Sequence, residues 1–288
     1  MKKILYSLIC LCFAFANLAG QQSKVVDRII ELGKTDNRTM HHLDVLTNRF
    51  GGRITGSDAY TNAAQWCASE FKKWGMEVIM DEAGTLPVGF DRGPWFGRLL
   101  SDNGMDLHFA TPSYTSGTKG VERGPVLIEP KSRDEFEHMK GALKGAWVLI
   151  SGKNTGWPID FSQHADSLRA KVLVYNDSIS KLNREIARQN YENRDKPMKD
   201  LLPLKEEPAL FYHEMCEAGM LGVIQSAVVP IRVLYDRKNL DKMTFETLPT
   251  VCDIKLDENQ YAVIEKMVKE RRYFLLEFDI RNHFKPGP

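Results

Sequence analysis

His164-Ala165-Asp166, Asp177, Glu206-Glu207 and His213 follow one another along the chain and are of the residue types that ligate metal ions. A bound metal can lower the pKa of a water and act as a Lewis acid. Such a site needs ligands fixed on rigid elements and oriented by further hydrogen bonds. His164 instead follows Gly156-Trp157-Pro158, and Glu206-Glu207 sits between Pro203 and Pro208. The set therefore reads as surface polar residues. His41 and His42 are adjacent, so on a helix they point about 100° apart and cannot face one metal as an i, i+4 pair can. No catalytic, cofactor-binding or metal residue is assigned.

Other chemistries find no support. Ser151 and Ser226 lack the G-x-S-x-G elbow, and no cysteine sits in a nucleophile signature. Cys67, Cys216 and Cys252 are widely spaced; they suit neither a disulfide framework nor a zinc ribbon and read as small buried hydrophobes. Gly51-Gly52 follows a helical pattern, not a strand, which excludes a nucleotide loop. With 39 Lys and Arg against 38 Asp and Glu, intermixed along 288 residues, a nucleic-acid partner is excluded.

The elements start with a targeting segment. Lys2-Lys3 precede the apolar run Ile4–Ala16, and Asn17-Leu18-Ala19-Gly20 offers small residues for cleavage near Gln21. The run is short and its flank polar for a membrane span, the alternative being an uncleaved N-terminal anchor, and Cys10 and Cys12 lack the preceding small residues of a lipoprotein site. Export to a secreted or periplasmic location is expected. Ser23–Lys34 and Thr39–Arg49 carry helical apolar spacing. The loop Phe50-Gly51-Gly52-Arg53-Ile54-Thr55-Gly56-Ser57 then ends in an N-cap. After it, Ala59, Ala63, Trp66, Cys67, Phe71 and Trp74 form one stripe closed by Gly75, and Glu77–Met80 reads as a strand. Glycine and proline punctuate Ala83–Ser116, which reads as a crossover with short strands.

Further on, Val126–Ile128 is a predicted strand, and Ser132-Arg133-Asp134-Glu135 a capping box opening a helix. Leu143–Ile150 reads as a turn into a buried strand, Asp160–Ala170 as a helix, Lys171–Tyr175 as a strand and Ile179–Asn193 as a solvated excursion. Tyr212–Gly219 is a short helix before Leu221–Ile224, and Ile231–Tyr235 a strand. Asp257–Gln260 caps a helix with Tyr261, Ile264, Met267 and Val268 on one face, and Tyr273–Asp279 is a strand.

Five stretches carry a resemblance. G-x-R-x-x-G-S at Gly51–Ser57, A-x-x-W at Ala63–Trp66 and W-G-M-E-V at Trp74–Val78 resemble the N-terminal part of the co-catalytic zinc exopeptidases, the aminopeptidase Y, carboxypeptidase Q and transferrin-receptor-like family. L-K-G-A-W-V-L-I at Leu143–Ile150 and A-G-M-L-G-V-I at Ala218–Ile224 resemble the protease-associated domain that interrupts those enzymes. The polar stretch Ile179–Pro208 departs from the pattern, and Asp177 lacks the family's Gly-rich turn.

The resemblance implies an α/β fold: a helical N-terminal part and a returning strand of an incomplete zinc-exopeptidase domain, interrupted by a β-rich protease-associated domain. The implied divisions are a signal peptide at 1–20, the N-terminal peptidase part at 23–115, the insertion at 116–250 and a returning helix and strand at 251–288. It also implies two zinc ions in a complete member, held by two histidines and three carboxylates with a separate glutamate base. In family order these lie beyond Phe284, so this chain is expected to be non-catalytic alone and to bind no cofactor. Its expected partners are peptides or a catalytic half; the alternative is a stand-alone secreted peptide- or protein-binding module. Were 116–250 inserted, Tyr114–Gly120 and Thr247–Asp253 would lie together. Glu77–Asp81 and Phe274–Asp279 would share a sheet, covered by helices through Trp66, Phe71, Ile264 and Met267. N-terminal sequencing of exported material is expected to begin near Gln21; a soluble cytoplasmic form retaining Met1 would overturn the export reading.

Overall fold

A computed structural model describes residues 24–82, 84–101, 103–155, 162–193, 195–202, 204–205, 209–228, 231, 240 and 243–287. The leader 1–20, Gly156-Trp157-Pro158, Glu206-Glu207 and all but the first residue of the strand predicted at Ile231–Tyr235 lie outside the described residues.

The fold is α/β, and its helices begin where the caps are. Residues 24–35 (α1) and Thr39–Asp44 (α2, continued as a π-turn to Arg49) are helical as expected. Ser57 accepts the Tyr60 N–H at the start of Asp58–Lys73 (α3), and Gly75 takes the left-handed conformation after its end. Ser132 accepts the Glu135 N–H at the start of Arg133–Met139 (α4). Asp257 accepts the N–H groups of Asn259 and Gln260 at the start of Glu258–Lys269 (α7).

Two sheets share one core. The first has the order β2-β1-β9-β4, from Met105–Asp106 (β2), Val88–Leu100 (β1), Leu275–Pro286 (β9) and Glu122–Gly124 (β4), all antiparallel. The second has the order β3-β8-β7-β6-β5. Here Cys252–Asp257 (β8), Gly222–Ala227 (β7), Trp147–Asn154 (β6) and Val126–Ile128 (β5) run parallel, with Phe109–Ala110 (β3) antiparallel at the edge. Trp147 joins the sheets. Its indole N–H donates to the Leu276 carbonyl at 3.2 Å, and its ring meets Phe278 edge-on at 4.8 Å. Helix α7 lays Tyr261, Ile264 and Met267 into this core. On the other face of the second sheet, α4 and Tyr212–Glu217 (α6) bury Phe136 and Met215 against Val148, Ile150 and Val223.

Several expectations are corrected. Ala83–Ser116 does hold the short strands β2 and β3, but it also contains β1, the longest strand among the described residues, which pairs with β9 from Val88↔Pro286 to Leu100↔Leu275. Its glycines allow close approach rather than marking turns. A Cβ at Gly93 would lie 2.5 Å from the Arg281 carbonyl oxygen, and one at Gly97 2.5 Å from the Phe278 ring. Glu77–Met80 is no strand, because no partner strand lies beside it, and Ile79 is 82% exposed. Phe274–Asp279 therefore pairs with β1 and not with Glu77–Asp81. Lys171–Tyr175 is no strand either. It belongs to a helix from Asp166 to Glu192 (α5) that also takes in the predicted excursion Ile179–Asn193. Ion pairs at helical spacing, Asp177–Lys181 and Arg188 with Glu185 and Glu192, favour the helix over a strand that would have no ladder to join. Trp66 packs on Phe50 and His42, not on a sheet. Tyr114–Gly120 and Thr247–Asp253 do lie together as expected, joined by an isolated bridge between Ser116 and Cys252, while each sheet draws strands from both sides of residues 116 and 250.

The N-terminal helices meet the sheets at the far end of β1 and β9. Asp91 Oδ1 accepts the Asp58 N–H at 2.8 Å, so a strand carboxylate caps α3 from outside. Lys285 lies 2.5 Å from both Asp58 and Asp91. Tyr114, itself left-handed at φ 56°, stacks on Phe90 and donates to the Thr55 carbonyl at 2.8 Å. Burial pushes the Asp91 carboxyl up, but the Lys285 ammonium and the Asp58 N–H outweigh it and hold it below its usual range.

Two outcomes follow. Gly97→Ala is expected to cost about 1–3 kcal/mol in urea unfolding, from overpacking against Phe278. Asp91→Asn is expected to cost about 1 kcal/mol at neutral pH. Because the folded carboxyl is depressed, its contribution is complete above the unfolded pKa of about 3.9 and is lost as pH falls through the folded value. Unfolding curves of the two proteins should therefore converge as pH falls below the folded value.

Candidate functional site: a buried polar row at the strand ends

Four parallel strands reach the same edge of the second sheet with their carboxyl ends, the place where open α/β sheets build sites. The register puts Ile150 beside Gln225 and Gln225 beside Lys255. Glu129, whose N–H donates to the Leu149 carbonyl at 3.0 Å, continues the row past β5. Lys255, Gln225 and Glu129 are all buried, beneath the face that α4 and α6 cover.

Each polar group is held. Lys255 Nζ lies 2.5 Å from Asp253 Oδ1. Asn154 donates to Gln225 Oε1 at 3.0 Å. Glu129 Oε1 accepts from the Ser151 N–H at 2.7 Å and from the Ser151 and Ser162 hydroxyls at 2.6 Å each. Glu129 Oε2 is buried without a hydrogen-bond partner among the described residues. With strands about 4.8 Å apart, Glu129 and Lys255 stand about 14 Å from each other across the sheet. They form two clusters, not an acid–base pair. Both are buried, and the arrangement ties strand ends together. Nearby thiols are also poor nucleophiles: burial pushes Cys216 up to about 11 and Cys252 up to about 12.

The histidine–carboxylate set of the sequence is dispersed. His164 precedes α5 and donates its backbone N–H to Ser162 Oγ. Asp166 starts α5, and Asp177 lies eleven residues on, about 16 Å along the axis. Asp177 is paired with Lys181 at 2.7 Å. His213 sits on α6, its ring edge-on to Tyr212. Among the described residues no three of His, Cys, Asp and Glu converge on a point that could hold a metal. Sequence reasoning missed the buried row because Cys252-Asp253-Ile254-Lys255-Leu256 alternates, and alternation suggests that the polar face meets water.

No family model matches the chain, and no curated protein matches it. Among solved structures it is similar to a peptidase M28 precursor from Shewanella amazonensis SB2B (TM-score 0.45, 12% identity, covering 92% of this chain and 51% of that one). It is also similar to an aminopeptidase from Aneurinibacillus sp. strain AM-1 (0.38, 10%, 85% and 44%) and a zinc aminopeptidase from Bacillus subtilis (0.37, 14%, 86% and 43%). TM-scores below 0.5 do not establish a shared fold, and the chain spans about half, or less, of the length of these structures.

Asp253→Asn removes the carboxylate beside a buried ammonium and is expected to cost about 3–5 kcal/mol. Asp177→Asn, on the solvated face of α5, is expected to leave the urea midpoint unchanged.

Proposed function

We propose that this chain is the N-terminal and protease-associated portion of an exported zinc-dependent exopeptidase, non-catalytic alone. In this reading residues 24–82 begin the peptidase domain, and a protease-associated unit is inserted after them. The β1–β9 ladder suggests that the unit runs from Val88 to Pro286 rather than over 116–250. Val88 pairs with Pro286, and the Gly287 N–H donates to the Pro87 carbonyl at 3.3 Å. An inserted unit leaves and returns at neighbouring points in this way.

The observation that carries the reading is the apolar surface of residues 24–82. Phe71 and Trp74 of the α3 stripe are 43% and 49% exposed, and Met76, Ile79 and Met80 after them are exposed too, as are Val25, Ile29 and Ile30 of α1. Patches of this kind mark surfaces built for a partner. The proposed partner is the catalytic half, which would bring the two zinc ions and their ligands. The described residues do not fit a zinc pair, so no catalytic step is assigned to them. No helix among them is long and apolar enough to cross a membrane; export is proposed from the leader sequence. Peptides are the proposed substrates of the complete enzyme.

Two measurements test this. The purified chain with added zinc should not hydrolyse aminoacyl p-nitroanilides or N-blocked dipeptides; chelator-sensitive turnover would overturn the non-catalytic assignment. Phe71→Glu and Ile79→Glu should reduce binding of a hydrophobic dye without lowering the urea midpoint. A loss of about 2 kcal/mol or more at either position would mean that the face is already covered, as in a finished binding module.

A further inference from the structure

The edge strand β5 borders a groove that the peptidase reading does not use. In a parallel ladder alternate residues of a strand bond to one neighbour, and those between them turn their N–H and C=O groups the other way. The Pro125 carbonyl accepts the Trp147 N–H at 2.9 Å, and the Glu129 N–H donates to the Leu149 carbonyl at 3.0 Å. Residues 125, 127 and 129 therefore face β6, while Val126 and Ile128 turn their main chain outward, where the sheet ends. The groove at this edge has a volume of about 650 Å³, within the range of small-ligand sites. Met139 of α4 and Val268 of α7 give it apolar walls, and Glu129, Asp134 and Glu135 line it with carboxylates against one lysine, Lys131.

We propose that this groove binds a short extended peptide bearing a lysine or arginine, whose main chain adds to the β5 edge at Val126 and Ile128 and whose cationic group pairs with Glu129. The proposal does not rest on the peptidase assignment. Two independent observations carry it, and the first is the Glu129 carboxyl, on a residue only 2% exposed. One oxygen takes three donors, the Ser151 N–H and the Ser151 and Ser162 hydroxyls. The other is buried without a hydrogen-bond partner among the described residues. An acceptor for Ser151 and Ser162 needs only the first oxygen, which a glutamine would supply as well. The charge and the second oxygen are not explained by that role, and a buried carboxylate without a cation is costly. A cationic donor arriving from the groove would satisfy both through a charge-assisted hydrogen bond. The second observation is the edge itself. Addition of a peptide strand to an open sheet edge draws affinity from main-chain bonds and selectivity from side-chain contacts. Pro125 and Pro130 bracket β5, so the edge accepts only a short segment. Exposed Asp134 and Glu135 continue the negative lining into solvent, which favours a basic peptide over an acidic one.

The probe is fluorescein-labelled Ala-Val-Lys-Val-Ala amide, compared with peptides that carry norleucine or glutamate in place of the lysine. In fluorescence anisotropy with the full chain, the lysine peptide should bind at least about tenfold more tightly than the norleucine peptide, a difference of about 1.4 kcal/mol. The glutamate peptide should bind more weakly still. Glu129→Gln keeps the acceptor for Ser151 and Ser162 and should shrink the lysine preference to less than about twofold. Asp134→Lys, on the exposed first turn of α4, should weaken the lysine peptide about threefold or more with an unchanged urea midpoint. N-methylation of alternate residues blocks one edge of a strand only. Of two lysine peptides, one methylated at both valines and one at the lysine and alanines, one should bind and the other should not. Equal affinity for the lysine and norleucine peptides, or a preference that survives Glu129→Gln, would overturn the proposal and leave water as the partner of the second oxygen. Equal behaviour of the two methylated peptides would overturn the strand addition. Should Glu129→Gln unfold, Asp134→Lys and the methylated peptides still decide, since neither alters the core.

Discussion

The ladder between β1 and β9 is the constraint on which the remainder depends. It closes the long stretch from Val88 to Pro286 on itself, so everything between must pack within a loop whose ends are fixed together. Three consequences follow from that closure. β9 lies between β1 and β4 and offers Leu276, Phe278 and Ile280 to the shared core. Phe278 can reach Trp147 only because Gly97 leaves room on the neighbouring strand. At the far end, Asp91 and Lys285 stand side by side and hold the start of α3. The loop Ile54–Ser57 thus docks on a surface that exists only once the two chain-distant strands have paired. Such long-range pairing is slow to form, since the entropy of closure precedes the contacts that offset it.

Local chemistry was legible in the sequence, and long-range chemistry was not. Ser57, Ser132 and Asp257 announce helix starts because a cap needs only its own next turn. The parallel strands at Trp147 and Gly222 were readable from continuous apolar runs that two covered faces require. By contrast β1 was hidden by its glycines: the same residue serves a turn and a close crossing, and only the partner strand tells which. Val172-Leu173-Val174-Tyr175 has strand-like composition, yet the ion pairs on either side of helical spacing decide for helix. Glu77–Met80 failed for the complementary reason, since a strand is a property of two segments and no second one lies beside it among the described residues. At the candidate site, Lys255 and Asp253 gave no signal, because nothing in their own strand reports that they are buried. Glu129 gave still less signal, as its partners Ser151 and Ser162 come from different elements.

The buried row and the α5 asparagines, Asn176, Asn183 and Asn190, which donate to the Lys205, Leu202 and Lys199 carbonyls, satisfy polar groups in opposite regimes. Around Lys255 and Glu129 the low dielectric makes each bond strong and each loss costly, so that region is rigid and specific. Along α5 the bonds face water, where exchange with solvent costs little. The first arrangement suits strand ends that must not separate.

The same contrast bears on residues 24–82. A helix as amphipathic as α3 gains its stability from covering its apolar stripe, not from propensity alone. Ala63 and Ala68 are buried, but the large side chains that should contribute most, Phe71 and Trp74, are half in water. What holds α3 at its start is the cap from Asp91 and the bridge through Lys285, both directed to its first turn. A helix fixed at one end, with its aromatic stripe open at the other, has its orientation set before its apolar face is covered. That is the arrangement expected of an element whose packing is completed by a surface supplied from elsewhere. It also explains why the loop Gly51–Ser57 is both glycine-rich and firmly held. Gly56 at φ 79° lets its carbonyl reach the Phe90 N–H at 3.2 Å, so the turn itself, not the stripe, anchors the helix to the sheets.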